Sequence, residues 1–152
     1  MTPGSISKRI VLDRLAWVDR MVAEIRSLPL ESKEAFFADS RNLWTAESCL
    51  RRALEALFDL GRHILAKGFG LGSSEYKEIV RNLVEQDVLS RQDGAILSLM
   101  AGYRNRLVHF YHEVTPDELY EICTSRIGDI VRLSETHRSW MKQHQDLLDE
   151  AL

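Results

Sequence analysis

Arg104 and His109 are the residues of this chain whose types and spacing could do chemistry without a covalent nucleophile. An imidazole titrates near neutrality and can take or give a proton. A guanidinium is permanently charged and grips phosphate oxygens in a fixed fork. The two lie five positions apart on a helix-forming stretch, so at about 100° per residue they point about 140° apart. One helix does not easily aim both at one small group. Two copies packed about a two-fold axis can, with Arg104 and His109 of both chains lining a shared cleft. Each residue also has a plainer reading. Arg104 can form a structural ion pair with Asp59 or Glu55, and a lone helical histidine is more often a hydrogen-bonded structural residue.

The stretch that carries them is a helix opening near Ser90, with Asp93 in its first turn, and continuing to about Glu113. One side carries Ile96, Leu99, Tyr103, Leu107, Phe110 and Val114, and a second carries Leu97, Ala101, Arg104, Val108 and Tyr111. The third side, with Ser98, Gly102, Asn105, His109 and His112, is small or polar. A helix apolar over two of three sides must be covered, and part of the cover is expected from a second subunit. An arginine among those neighbours needs a partner or a ligand.

Four further helices are expected to position it. The first spans about Ile6 to Leu28, with Ser5 or Ser7 as cap and Pro29 as stop. The second begins near Glu31 or Asp39 and runs to about Lys67 with a long amphipathic stripe. Gly68, Gly70 and Gly72 mark its end, and Ser73 or Ser74 can cap a short third helix over 75–86. Thr115-Pro116-Asp117-Glu118 reads as cap, N1 proline and acidic first turn of a fifth helix reaching about Gln143. No window alternates with period two. The fold class is all-α, an up-and-down bundle of four or five helices, read as one domain over 1–152.

Composition narrows the function. A net charge of -3 gives no global positive field, although the cations are 15 Arg against 5 Lys. No apolar run reaches the ~20 residues of a membrane span, and no signal peptide is visible. Cys49 and Cys123, far apart, suit reduced thiols in a cytoplasmic protein rather than a disulfide framework. Asp59 with His63, and His109 with His112, have spacings that could hold a metal, but the Glu-x-x-His pairs of di-iron bundles are absent, and no metal or cofactor is expected. There is no P-loop and no nucleophile elbow. Trp17, Trp44 and Trp140 read most simply as core or interface aromatics.

The run Arg104-Asn105-Arg106-Leu107-Val108-His109-Phe110-Tyr111 resembles the R-x4-H-x-Y signature of HEPN-domain ribonucleases. More closely, the chain resembles the HepT-like toxins of bacterial HepT/MntA toxin–antitoxin systems. The likeness extends through Leu54-Glu55-Ala56-Leu57-Phe58-Asp59-Leu60, the glycine-rich stretch, Met100-Ala101-Gly102-Tyr103 and Val114-Thr115-Pro116-Asp117, covering roughly Leu43 to Asp129. The resemblance implies a metal-independent endoribonuclease that acts on RNA and is held in check by a partner, with Arg104 and His109 as the catalytic pair; the homodimer is expected from their divergence on one helix. Asn105 would orient the imidazole or touch the phosphate, and Asp59 would hold Arg104. Tyr111 matches the tyrosine that, in that family, receives adenylyl groups from an MntA-like nucleotidyltransferase antitoxin; otherwise it is an amphipathic cleft residue. The competing readings are a non-catalytic HEPN module that binds a nucleotide or a partner protein, and a metal-bearing helical bundle.

Overall fold

The computed structural model describes residues 5–109 and 114–150. Its order is β1 (Ile6–Ser7), α1 (Lys8–Arg26), α2 (Lys33–Phe37), α3 (Ser40–Phe69), α4 (Tyr76–Glu85), α5 (Arg91–His109), α6 (Pro116–Ser125), α7 (Ile127–Gln143), a 3-10 turn (Gln145–Leu147) and β2 (Leu148–Asp149). The all-α class holds, with a two-residue parallel pairing of β1 and β2 that joins the two ends of the chain.

α3 is the frame. Its 30 residues span about 45 Å. Leu50, Leu54, Leu57, Phe58, Ile64 and Leu65 of this helix are fully enclosed, and α1, α4, α5, α6 and α7 all pack on it. α1 lies along it through Val11, Leu15, Val18, Val22 and Ile25, a spacing that keeps one face inward. At Gly61 a β-carbon would stand 2.9 Å from the end of Leu83, so glycine there lets α4 approach α3 closely.

The ends of the helices follow local chemistry. The Ser7 hydroxyl accepts from the Ile10 amide and caps α1. Ser32 caps α2 and Asp39 caps α3, so both starts read from the sequence are real, and they open two helices rather than one. α3 ends where Gly70 adopts φ 68°, a left-handed conformation that glycine takes without a steric penalty. The Thr115 hydroxyl caps α6, with Pro116 and the acidic first turn as expected.

Three expectations change. Neither Ser73 nor Ser74 caps α4: Glu75 stands at the cap position without a side-chain bond, and the buried Ser73 hydroxyl instead accepts from Asn82. The expected fifth helix is two, α6 and α7, broken at Arg126 (φ -114°, ψ -7°). The seam of α5 that faces the core is Asp93, Leu97, Met100 and Leu107, between the two apolar sides read from the sequence, and Leu99 is left 40% exposed. Trp140 is a core residue, whereas Trp17 and Trp44 are exposed. No described helix is long and apolar enough to cross a membrane.

Two histidines sit in this frame uncharged. His137 is fully buried with its Nδ1 on the Leu133 carbonyl at 2.7 Å, and burial pushes its pKa down. The half-buried His63 accepts the Ser7 amide through Nε2 at 2.9 Å; burial first, then Lys67 and Arg14, lower its pKa. A histidine with a depressed folded pKa favours the native state fully above its unfolded pKa of about 6.5, and that advantage is lost as pH falls below it. Thermal unfolding followed from pH 7.5 to 5 should therefore lose stability below about pH 6.5, with a slope approaching about 1.4 kcal/mol per pH unit for each histidine. His137→Leu should remove its share of that slope; an unchanged slope would contradict the assignment.

Candidate functional site

Arg104 projects from the middle of α5 toward α3 and the start of α4. Its side chain is only 21% exposed, and one guanidinium nitrogen lies 3.5 Å from the Glu55 carboxylate. A second contacts Asn105 Oδ1 at 3.4 Å. The guanidinium carbon stands 5.1 Å from the centre of the Tyr76 ring, and that ring is stacked on the buried Phe58 at 4.3 Å. Arg104 thus has a carboxylate at its edge and an aromatic face against its plane, the two surroundings that suit a planar delocalised cation. Its Nε is buried without a hydrogen-bond partner among the described residues.

Glu55 is shared: it also lies 3.5 Å from Arg51, one turn earlier on α3. Asp59, one turn later, pairs with Arg62 at 3.0 Å and not with Arg104. Of the two carboxylates the sequence offered to Arg104, the structure brings up Glu55. Asp59 is the more exposed of the two and is engaged by its own i+3 neighbour. Arg62 also donates to the Ser73 carbonyl at 3.2 Å and fixes the loop before α4. Burial raises the Tyr76 pKa, more than the neighbouring charges alter it, so its phenol stays neutral.

These groups wall an open cleft of about 540 Å3, lined by Arg62, Ser74, Glu75, Tyr76, Lys77, Arg104 and Asn105. Three cations and one carboxylate line it, and two of those cations are already paired beside it, Arg104 with Glu55 and Arg62 with Asp59. His109 is the last described residue of α5, and its side chain, like the whole of Tyr111, lies outside the described residues. Tyr76 is the functional candidate that sequence reading missed. Its only signal was a tyrosine at the first position of a short helix, which periodicity assigns to neither core nor site. His63 accepts the Ser7 amide through Nε2, and among the described residues no group of three or more His, Cys, Asp or Glu is placed to hold an ion.

The fold is shared with solved structures. The tri-AMPylated HEPN toxin of Shewanella oneidensis, in complex with MNT antitoxin, superposes with a TM-score of 0.77 at 19% identity, over 86% of this chain and 97% of that one. A toxin–antitoxin structure with AMP-PNP gives 0.74 at 19% identity, over 84% of this chain and 97% of the other. YutE of Bacillus subtilis, a cytosolic protein of unknown function, gives 0.74 at 19% identity over 90% and 91%. No curated protein sequence matches the chain. These likenesses define the class, an all-α HEPN-type helical fold. The chain belongs to the ribonuclease HepT-like family, which it matches over residues 18–136.

Glu55→Gln removes the countercharge of a partly buried guanidinium while keeping the side chain's shape. Both groups are partly solvated, so the cost should be about 1 kcal/mol, seen in a thermal melt as a fall of about 2–4 °C. Tyr76→Phe keeps the ring under Arg104 and should melt as the parent protein does. A Glu55→Gln protein as stable as its parent would show that the ion pair contributes nothing.

Proposed function

We propose that residues 1–152 form one HepT-like domain that works as the toxin of a toxin–antitoxin pair, a metal-independent endoribonuclease. The observation that carries the reading is Arg104. It is a permanent cation, held between Glu55 and the Tyr76 ring at the wall of an open cleft and followed at the motif spacing by His109. Family membership supports the same assignment.

RNA brings its own nucleophile. In the proposed step the 2′-oxygen forms a bond to the adjacent phosphorus and the bond from phosphorus to the 5′-oxygen breaks, leaving a 2′,3′-cyclic phosphate and a 5′-hydroxyl. His109 takes the 2′-hydroxyl proton or delivers one to the leaving oxygen. Arg104 neutralises the charge that builds on the non-bridging oxygens, which is work a fixed guanidinium can do without an ion. Asn105, exposed beside Arg104 in the cleft, touches the phosphate or orients the imidazole. Because Arg104 and His109 diverge by about 140° on one helix, a homodimer completes the site, with the His109 of one copy acting beside the Arg104 of the other.

Regulation follows from Tyr111. A nucleotidyltransferase antitoxin adenylylates it, and the added phosphate competes with the substrate for Arg104 while its bulk closes the RNA path. The HEPN toxin of the Shewanella complex is tri-AMPylated and bound to MNT antitoxin, which supports this reading.

Purified protein incubated with RNA in excess chelator should cut it and leave cyclic-phosphate ends. His109→Ala should lose about 10²–10⁴-fold and Arg104→Ala about 10²–10³-fold, with oligomeric state unchanged. Undiminished cutting by either variant refutes its role. Wild-type protein that binds RNA and cuts none would be the non-catalytic HEPN module instead. Co-expression with the antitoxin should add one or more adenylyl masses, and Tyr111→Phe should abolish the shift; added mass that persists would place the modification elsewhere.

A further inference from the structure

A second cavity of about 400 Å3 lies between α1 and α3, lined by Asp13, Arg14, Trp17, Arg51, Arg52, Glu55, Ala56 and Asp59. It adjoins the Arg104 cleft through two ion pairs. Glu55, on its wall, holds Arg104, and Asp59, also on its wall, holds Arg62 of the cleft. The two cavities therefore form one band across the bundle. Along it six cationic side chains face four carboxylates, in a chain whose net charge is -3.

Trp17 is out of place as a core residue. The inward face of α1 is Val11, Leu15, Val18, Met21, Val22 and Ile25, and Trp17 lies off that stripe, 37% exposed. The Arg20 guanidinium stands 5.9 Å from the centre of its ring. On the facing helix Arg52 donates to the Ser48 hydroxyl at 3.1 Å. Among the described residues neither Arg20 nor Arg52 has a carboxylate partner. An exposed indole, with Arg52 across the groove and Arg20 beside its ring outside the groove lining, offers a π-face and a phosphate donor side by side. Proteins that bind single-stranded nucleic acid combine the same two elements.

We propose that this groove is a second subsite on the RNA path. Trp17 stacks a base of the strand, and Arg52 takes an adjoining phosphate, beside Arg51 and Arg14, which are paired with Glu55 and Asp13, while the scissile phosphate lies at Arg104. The proposal rests on the reading of the Arg104 cleft as an RNA site. It requires the strand to be unpaired at this position, because a base can reach the indole face only when it is out of a helical stack. It also implies tolerance of base identity at that position, since every base has a π-face.

The test titrates a fluorescein-labelled, unstructured 12-nucleotide RNA, and the same sequence as a duplex, against full-length protein in a His109→Ala background. Trp17→Ala should weaken single-strand binding about tenfold, and Trp17→Phe should restore most of it. Arg52→Gln should lower the slope of log affinity against log salt by about 0.7. Trp44→Ala removes the other exposed tryptophan, which lines neither cavity, and should bind as the background does. With His109 restored, the Trp17 effect on cutting should fall on KM more than on kcat. Should Trp17→Ala not fold, Trp17→Leu keeps an apolar side chain while removing the stacking face.

Single-strand affinity unmoved by Trp17→Ala overturns the subsite, as does an equal loss on the duplex. Loss of antitoxin affinity with RNA affinity intact also overturns it and makes the groove a protein dock. Protein that binds the 12-mer through Trp17 but never cuts RNA leaves the subsite standing and refutes the nuclease. Cutting that ignores Trp17 refutes the subsite alone.

Discussion

A guanidinium that cannot lose its charge sits four-fifths enclosed on α5, and that constraint organises the molecule around it. Leaving such a charge without a partner inside the bundle would cost about several kcal/mol. The structure meets that cost from two directions, with a carboxylate from α3 and an aromatic ring from α4. Both come from elements α5 packs against, so the position of the cation is set by the packing of three helices. Neither contact saturates the group: Nε has no hydrogen-bond partner among the described residues, and Glu55 divides its charge between Arg104 and Arg51. A cation held at the wall of an open cleft, its carboxylate shared with a second arginine, is incompletely neutralised.

α3 supplies the order. Successive turns present Arg51, Glu55, Asp59 and Arg62, so one edge of the most buried helix carries two carboxylates flanked by two arginines, each paired along the helix. The opposite positions, from Leu50 through Leu54, Leu57 and Ile64, are the core. A polar edge carried on a rigid buried rod is a stable support for a binding band. The same rod fixes Tyr76 through Phe58 and α4 through Gly61, which brings the core and the cleft into one packing problem.

Much of this was legible in the sequence wherever the signal was local. Ser7, Ser90, Thr115 with Pro116, and the glycines after Phe69 announce helix ends because caps and left-handed turns need those residue types. The all-α class followed from the period of the apolar residues. The break at Arg126 was not legible. Leu119, Ile122, Cys123, Ile127 and Ile130 continue one helical stripe straight through it, no proline marks the place, and α7 starts without a side-chain cap because the Thr124 hydroxyl donates back to the Tyr120 carbonyl. In the site, Arg104 stood out as a charge on an apolar side. Choosing Glu55 over Asp59 depended on the rotation of α3 against α5, which one chain's sequence does not encode locally. Tyr76 was invisible for the same reason: it reaches Arg104 only because α4 folds back on α3. Trp17 read as a core or an interface aromatic, and the packing of α1, whose inward face passes it by, removes the first of these.

The divergence of Arg104 and His109 on one helix is a geometric fact of the α-helix, and it makes the account depend on two copies of the chain. The most direct measurement uses a mixed dimer, one subunit carrying Arg104→Ala and the other His109→Ala, co-expressed with different tags and purified through both. If each site takes its guanidinium from one copy and its imidazole from the other, one of the two sites is intact and the mixed dimer should cut RNA at about half the wild-type rate. A mixed dimer as inert as its parents would place both groups within a single chain and contradict the account.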